Sequence, residues 1–268
     1  MTTRTRHSHG AFSWADLATP DPAAAKVFYS ELFALKILDQ SMGPDGVYSK
    51  LQRDGRDVAA LYEMPPEQRA RKLPAYWLPY FTVDAVDEVA AKVVPLGGKL
   101  VLAPLDAHDA GRMAVASDPS GAHLGLWQAR RSCGAELMHA PGTLTWAELM
   151  SRDLPAAVAF LTGLFGWQAH AVDMGGGMMY TLLNLPGAGP EMNHACGSMQ
   201  LPPEWGPIPS HWLVYFAVDD CDASAARVQR LGGKIHEAPE DIPNVGRFAM
   251  CADPQGAVFA ILRSKPRG

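Results

Sequence analysis

Cysteine is scarce in this chain. Its four residues, Cys133, Cys196, Cys221 and Cys251, form no Cys-x-x-Cys pair and no zinc-finger spacing, which argues against a disulfide framework or a structural zinc module and predicts a reducing, cytoplasmic setting. No window approaches the roughly 18 consecutive apolar residues of a membrane span. Met1 to Gly10 is polar and basic without an apolar stretch, so it is not a secretory signal and is expected to be a frayed tail. Basic runs are missing too. The 23 Lys and Arg residues face 28 Asp and Glu, a net charge of −5, which argues against nucleic acid as a partner. Gly175-Gly176-Gly177 is followed by neither a helix nor Lys-Ser/Thr, so it is a hairpin turn and no phosphate loop.

What the chain has is a repeat. Gly111-Arg112-Met113-Ala114-Val115 and Gly246-Arg247-Phe248-Ala249-Met250 each open an apolar run that ends in Asp-Pro-x-Gly, at Asp118–Gly121 and Asp253–Gly256, and a second apolar run follows. Asp-Pro initiates a turn, glycine takes its positive-φ position, and each copy predicts a β-hairpin. The register extends outward: Trp14 maps to Trp146 and Phe33 to Phe165 by a shift of 132, Trp77 to Trp212 and Asp84 to Asp219 by 135. The second half therefore gains a net three residues between Phe165 and Trp212. Two domains follow, expected over residues 10–130 and 142–264.

In the first half the order strand, helix, three strands occurs twice; the second half returns to it, with two strands expected over residues 175–185. Asp21 and Pro22 open a helix to Phe33; Asp84 is expected to cap one that ends at Gly97-Gly98. Residues 64–74 read as a linker. The fold class is α+β, a tandem pair of barrels built from βαβββ units.

The Trp-Ala-(Asp/Glu)-Leu strands, the Leu-Gly-Gly-Lys helix ends and the Gly-Arg-x-Ala…Asp-Pro-x-Gly hairpins resemble the vicinal oxygen chelate superfamily of glyoxalases, bleomycin-resistance proteins and extradiol dioxygenases. The similarity is closest to two-domain glyoxalase-like proteins of actinobacteria often labelled hydroxylases. The resemblance implies half-open barrels with helices outside and a ligand cavity within. In metal-dependent members, His or Glu from four strands enters that cavity. Strand-by-strand matching puts these positions on Trp14, Leu78 and Gly125, and on Trp146, Leu213 and Ala260. None of these binds metal, so no metal and no other cofactor is expected.

Strand alternation puts residues two apart on one face. Ala15, Leu17, Ala147 and Leu149 are expected under the helices; Trp14 with Asp16, and Trp146 with Glu148, face the cavities. Tyr76, Tyr80, His123 and Trp127 join the first cavity, His211 and Tyr215 the second. Each cavity then holds a carboxylate, a histidine, a tyrosine and a tryptophan, a set suited to acid–base chemistry or to an aromatic-lined pocket. His211 and Glu148 are the expected acid–base groups, with Asp16 and His123 as their first-half analogues. A purely structural role, carboxylates accepting hydrogen bonds from nearby Trp or Tyr, stands beside this reading. Arg112 and Arg247 fit a carboxylate or carbonyl ligand, or more simply an ion pair with Asp118 or Asp253. Glu191, His194, Cys196 and His211 suggest an irregular metal site that matches no standard motif. Methionines 174, 178, 179, 192 and 199 suit an adaptable pocket floor or ordinary core filling. Two functions follow: lyase- or isomerase-type turnover of a small oxygenated metabolite, or sequestration of a hydrophobic or aromatic molecule. The partner is a small molecule, with no nucleic acid or membrane, and the chain is expected as a monomer or homodimer.

Overall fold

The computed structural model describes residues 3–174, 179–187 and 194–265. In chain order the first half comprises β1 (Phe12–Thr19), α1 (Pro22–Phe33), β2 (Lys36–Ser41), β3 (Val47–Arg53), β4 (Arg56–Glu63), α2 (Pro66–Ala70), β5 (Tyr76–Thr82), α3 (Val86–Val93), β6 (Lys99–Ala107), β7 (Gly111–Ser117) and β8 (His123–Ala129). The second half repeats this as β9 (Leu144–Ser151), α4 (Leu154–Phe165), β10 (Gln168–Asp173), β11 (Met179–Asn184), β12 (His194–Gln200), β13 (His211–Ala217), α5 (Cys221–Arg230), β14 (Lys234–Ile242), β15 (Gly246–Ala252) and β16 (Val258–Ser264). Each half forms one eight-stranded sheet, ordered β2-β3-β4-β1-β5-β8-β7-β6 and β10-β11-β12-β9-β13-β16-β15-β14. The two units of a half meet where β1 runs antiparallel to β5, and β9 to β13. This is the expected α+β tandem of βαβββ units.

Local chemistry explains most boundaries. The Asp21 carboxylate accepts from Ala24 N at 3.0 Å and opens α1; Asp153 does the same for α4 from Ala156 N at 3.2 Å. In the Asp-Pro-x-Gly turns, Asp118 accepts from Ala122 N and Asp253 from Ala257 N, with Gly121 and Gly256 at φ of 96° and 92°.

Several expectations are corrected. Asp84 does not cap α3. Its carboxylate is 3.3 Å from His9 Nδ1, while the first helical N–H, of Val86, donates to Gln128 Oε1. In the second half the cap is Asp220, one residue later than Asp219. The stretch 64–74 holds the short helix α2. The second half carries β10, β11 and β12 where two strands were expected, and the Gly175-Gly176-Gly177 turn lies outside the described residues. Nor is the segment before β1 frayed over its described part. Arg4 N donates to Glu136 O, Gly10 N donates to Thr82 O, and buried His7 places Nε2 2.8 Å from Ala135 O. Among the described residues no helix is long and apolar enough to cross a membrane.

One main core spans both halves. Ala15, Leu17, Ala147 and Leu149, fully buried, point into it. The packing is reciprocal: α1 meets α5, and α4 meets α3. Phe33 stacks on Phe216 at 4.6 Å, and Phe81 lies 5.6 Å from Phe165 and 5.1 Å from Trp212. Phe160 sits so close to Gly98 that a Cβ there would lie 2.5 Å from its ring; Phe28 stands in the same relation to Gly233. On one side of the junction the Tyr29 hydroxyl accepts from Trp77 Nε1 at 3.0 Å and donates to Asp253 at 3.1 Å. On the other side Tyr29 is replaced by Leu161, and Trp212 Nε1 and Asp118 Oδ2 are buried without a partner among the described residues.

Candidate active site

The sheet faces turned away from this core carry two matching clusters. In the first half Trp14 Nε1 donates to Asp16 Oδ1 at 2.7 Å and to the Tyr48 hydroxyl at 3.0 Å, and Tyr48 itself donates to the same Oδ1 at 2.7 Å. Tyr80 adds a further hydrogen bond to Asp16. In the second half Trp146 Nε1 donates to the Tyr180 hydroxyl at 3.0 Å, and Tyr180 and Tyr215 donate to Glu148 Oε2 at 2.7 and 3.2 Å. Register explains the assembly. Asp16 lies opposite Leu78 and Trp14 opposite Tyr80; Glu148 lies opposite Leu213 and Trp146 opposite Tyr215. The Tyr80 and Tyr215 hydroxyls therefore arrive from the neighbouring strand one row away from the carboxylate, and those of Tyr48 and Tyr180 reach it from β3 and β11, two strands away on the other side.

Glycine makes room for two of these rings. A Cβ on Gly125 would lie 2.1 Å from the Tyr80 ring, and one on Gly197 would lie 1.8 Å from the Tyr180 hydroxyl. Burial pushes the pKa of Asp16 up, opposed by hydrogen bonds from Tyr48, Trp14 and Tyr80. Burial raises Glu148 likewise, opposed by Tyr180 and Tyr215. All four tyrosines are held well above their ordinary value, first by burial and next by the adjacent carboxylate, so they remain proton donors.

Sequence reasoning missed Tyr48 and Tyr180. They obey the 132-residue shift of Trp14 and Trp146 and fall on β3 and β11, so the repeat itself carried the signal.

The structure does not join the histidines to the carboxylates. His211, opposite Met150, has Nδ1 2.8 Å from Pro209 O. Burial lowers its pKa, opposed by that backbone contact. His123 is exposed at the start of β8, opposite Ser117, and desolvation lowers it too. Trp127 donates to Ser132 O and covers Gly111; Tyr76 donates to Gln68 Oε1. Arg112 and Arg247 stay outside both faces, a correction to their reading as ligand contacts. They pair with Asp87 and Asp222 on α3 and α5, not with Asp118 and Asp253, because Asp-Pro turns consume those carboxylates.

A metal is implied by the superfamily resemblance, and these residues do not fit one. The rows across the central strands read Trp14–Tyr80–Gly125 and Trp146–Tyr215–Ala260. The single carboxylate of each cluster is already met by donors, Trp14 N–H and Tyr48 O–H at Asp16 and two tyrosine O–H groups at Glu148. Among the described residues no group of three or more His, Cys, Asp and Glu is placed to hold a metal ion. Of the irregular set, His194 places Nδ1 2.5 Å from Asn184 Oδ1, Cys196 is fully buried, and Glu191 lies outside the described residues. Met199 packs in the second-half cluster while Met179 is exposed; Met178 and Met192 are outside the described residues.

Comparison with known proteins agrees with this architecture. "Putative glyoxylase CFP32" of Mycobacterium tuberculosis (strain CDC 1551 / Oshkosh) is 42% identical over 268 residues, the whole of both chains. "Anthracycline biosynthesis protein DnrV" of Streptomyces peucetius is 33% identical, covering 96% of this chain and 94% of that one. Two solved structures share the fold. One is the Mn(II)-bound glyoxalase from Novosphingobium aromaticivorans, with TM-score 0.65, 18% identity, and coverage of 95% of this chain and 82% of that one. The other is 2,2',3-trihydroxybiphenyl 1,2-dioxygenase from Sphingomonas wittichii strain RW1, with TM-score 0.64, 15% identity, and coverage of 96% and 91%. With its family profile matched over residues 11–126 and again over 143–261, the chain belongs to the Glyoxalase/Bleomycin resistance protein/Dioxygenase superfamily.

Proposed function

We propose that this glyoxalase-like protein turns over a small oxygenated metabolite by acid–base chemistry, with Asp16 and Glu148 as the bases and their tyrosines as hydrogen-bond donors. One observation carries the reading. In the second half both donors fall on a single carboxylate oxygen, Oε2 of Glu148 from Tyr180 and Tyr215, while in the first Trp14 and Tyr48 share Oδ1 of Asp16 and Tyr80 is a third donor to that carboxylate. The second oxygen of Glu148 is the natural place for a substrate proton, and a carboxyl raised by burial is a stronger base than one in water. Such a group takes a proton from carbon beside a carbonyl and returns it to a neighbouring atom. Neutral tyrosine hydroxyls stabilise the oxygen on which charge develops. A lyase or isomerase outcome follows from where the proton returns.

The test is turnover of a panel of 2-oxoaldehydes, their thiol adducts and hydroxylated aromatics by wild type, Asp16→Asn, Glu148→Gln and the double variant. Loss of a general base is expected to cost about 10²–10⁴-fold in rate. Equal rates in the double variant would retire the proposal. Aromatic walls, together with the similarity to an anthracycline biosynthesis protein, support a second reading: retention of a hydrophobic or aromatic molecule without turnover. On that reading a bound ligand is recovered chemically unchanged after incubation.

A further inference from the structure

A cleft of about 550 Å³ opens where the segment before β1 and the bridge after β8 close one end of the first sheet. It is a built feature. Ala135 N donates to Ser13 O, Asp57 N donates to Glu136 Oε2, and Glu136 N donates to Asp57 O. Gly134, at φ 96°, passes so close to Ser13 that a Cβ would lie 2.6 Å from its carbonyl oxygen.

The lining is basic in a chain of net charge −5: Arg4, Arg6, Lys50, Arg130 and Arg131 against Asp57, Asp84 and Glu136. Three of the cations are engaged, Lys50 by Asp57, Arg130 by Asp106 and Arg131 by Asp109. The guanidinium groups of Arg4 and Arg6 have no hydrogen bond or ion pair among the described residues. A second, independent feature points the same way. Thr82 lines the cleft, is 6% exposed, and its hydroxyl has no hydrogen-bond partner among the described residues. A buried hydroxyl in a polar cleft that no protein group satisfies is free to hydrogen-bond a ligand atom.

We infer that this cleft binds a small organic dianion, a dicarboxylate or a phosphate monoester, through Arg4 and Arg6 with the Thr82 hydroxyl donating to it. Guanidinium forks match carboxylate and phosphate oxygens, the five Lys and Arg of the lining exceed its three carboxylates by two, and the volume suits a metabolite. The site belongs to the first half alone. Under the repeat shifts Arg4 becomes Glu136, Arg6 becomes Met138, Lys50 becomes Leu182 and Thr82 becomes Ala217. Lys50 and Thr82 each follow a cluster tyrosine, Tyr48 and Tyr80, by two residues on the same strand face, so the anion sits about 7 Å along the strands from Asp16's donors.

The assignment is independent of proton chemistry at Asp16. Calorimetric titration of the full chain with succinate and, separately, with inorganic phosphate at low ionic strength tests it. Saturable binding of one anion per chain is expected, weakened about tenfold or more in Arg4→Ala/Arg6→Ala and measurably in Thr82→Val. Arg247→Ala, in the other half, is expected to bind as wild type. Binding of succinate alone assigns the carboxylate, and binding of phosphate alone the phosphate. Absence of saturable binding of both, or wild-type affinity in the double arginine variant, overturns the proposal.

Discussion

A carboxylate in water is ionised at neutral pH at no cost, and Asp16 and Glu148 are not in water. Each is about 7% exposed, and burial holds its pKa above the unfolded value. The sign follows directly. The folded protein holds these protons more tightly than the unfolded chain, so ionisation costs stability once pH exceeds the raised values. That cost fades as pH falls through them, and is gone below the unfolded value of about 4. Asp16→Asn and Glu148→Gln keep an acceptor oxygen for the Trp and Tyr donors while removing the charge. We expect the double variant to be at least as stable as wild type at about pH 7.5, with its advantage shrinking toward about pH 4.5. Urea unfolding at the two pH values checks this, and a variant advantage that grows on acidification would contradict it. At this scale the sequence was partly legible. Period-two alternation put Trp14, Asp16, Trp146, Glu148, Tyr80 and Tyr215 on the right faces. The histidines were misjudged because a shared face does not imply contact: His211 turns to the carbonyl of Pro209, two residues away.

At the scale of elements, the same helix is ended differently in the two halves. After α4, Gly166 takes the left-handed conformation at φ 71°, the position where glycine carries no Cβ penalty. After α1 the equivalent residue is Ala34, at φ 54°. Ala34→Gly is expected to stabilise the protein by about 0.5–1 kcal/mol, the steric relief exceeding the added chain entropy. Its thermal midpoint, compared with that of a Gly166→Ala variant shifted the opposite way, checks the claim. Elements with a local signature were readable: Asp21-Pro22, the Gly-Gly helix ends and the Asp-Pro-x-Gly hairpins each specify geometry within four residues. β12 was not, because His194–Gln200 contains glycine, serine and a buried cysteine, and its strand character comes from pairing with β11 and β9. The Asp84 cap failed for a similar reason. A distant residue, His9, claims the carboxylate, and Gln128 on β8 supplies the acceptor.

Across the whole molecule, the halves share one aromatic core whose hydrogen bonds are made on one side only. Tyr29 joins Trp77 of the first half to Asp253 of the second. Tyr29→Phe removes that hydroxyl and leaves Trp77 Nε1 and Asp253 Oδ2 unpaired, as Trp212 Nε1 and Asp118 Oδ2 are among the described residues on the Leu161 side. A loss of about 1–3 kcal/mol is expected, read as a lower denaturant midpoint in a single transition followed by both tryptophan fluorescence and circular dichroism; an unchanged midpoint would refute it. Duplication itself was plain in the sequence, from residue pairs at fixed shifts. Reciprocal packing across the junction was not, because no local pattern says which half a helix leans on.

That one-sidedness has a genetic meaning. In a symmetric dimer encoded by a single copy, every substitution is made twice, and a tyrosine gained at one side of the junction appears at the other. A fused tandem breaks that constraint, since each copy changes alone. Tyr29 without a counterpart at Leu161 is one trace of this freedom, and Arg4, Lys50 and Thr82 facing Glu136, Leu182 and Ala217 under the same shifts are another. The two cups of the molecule were thereby free to diverge in what they hold while the seam between them kept a common frame.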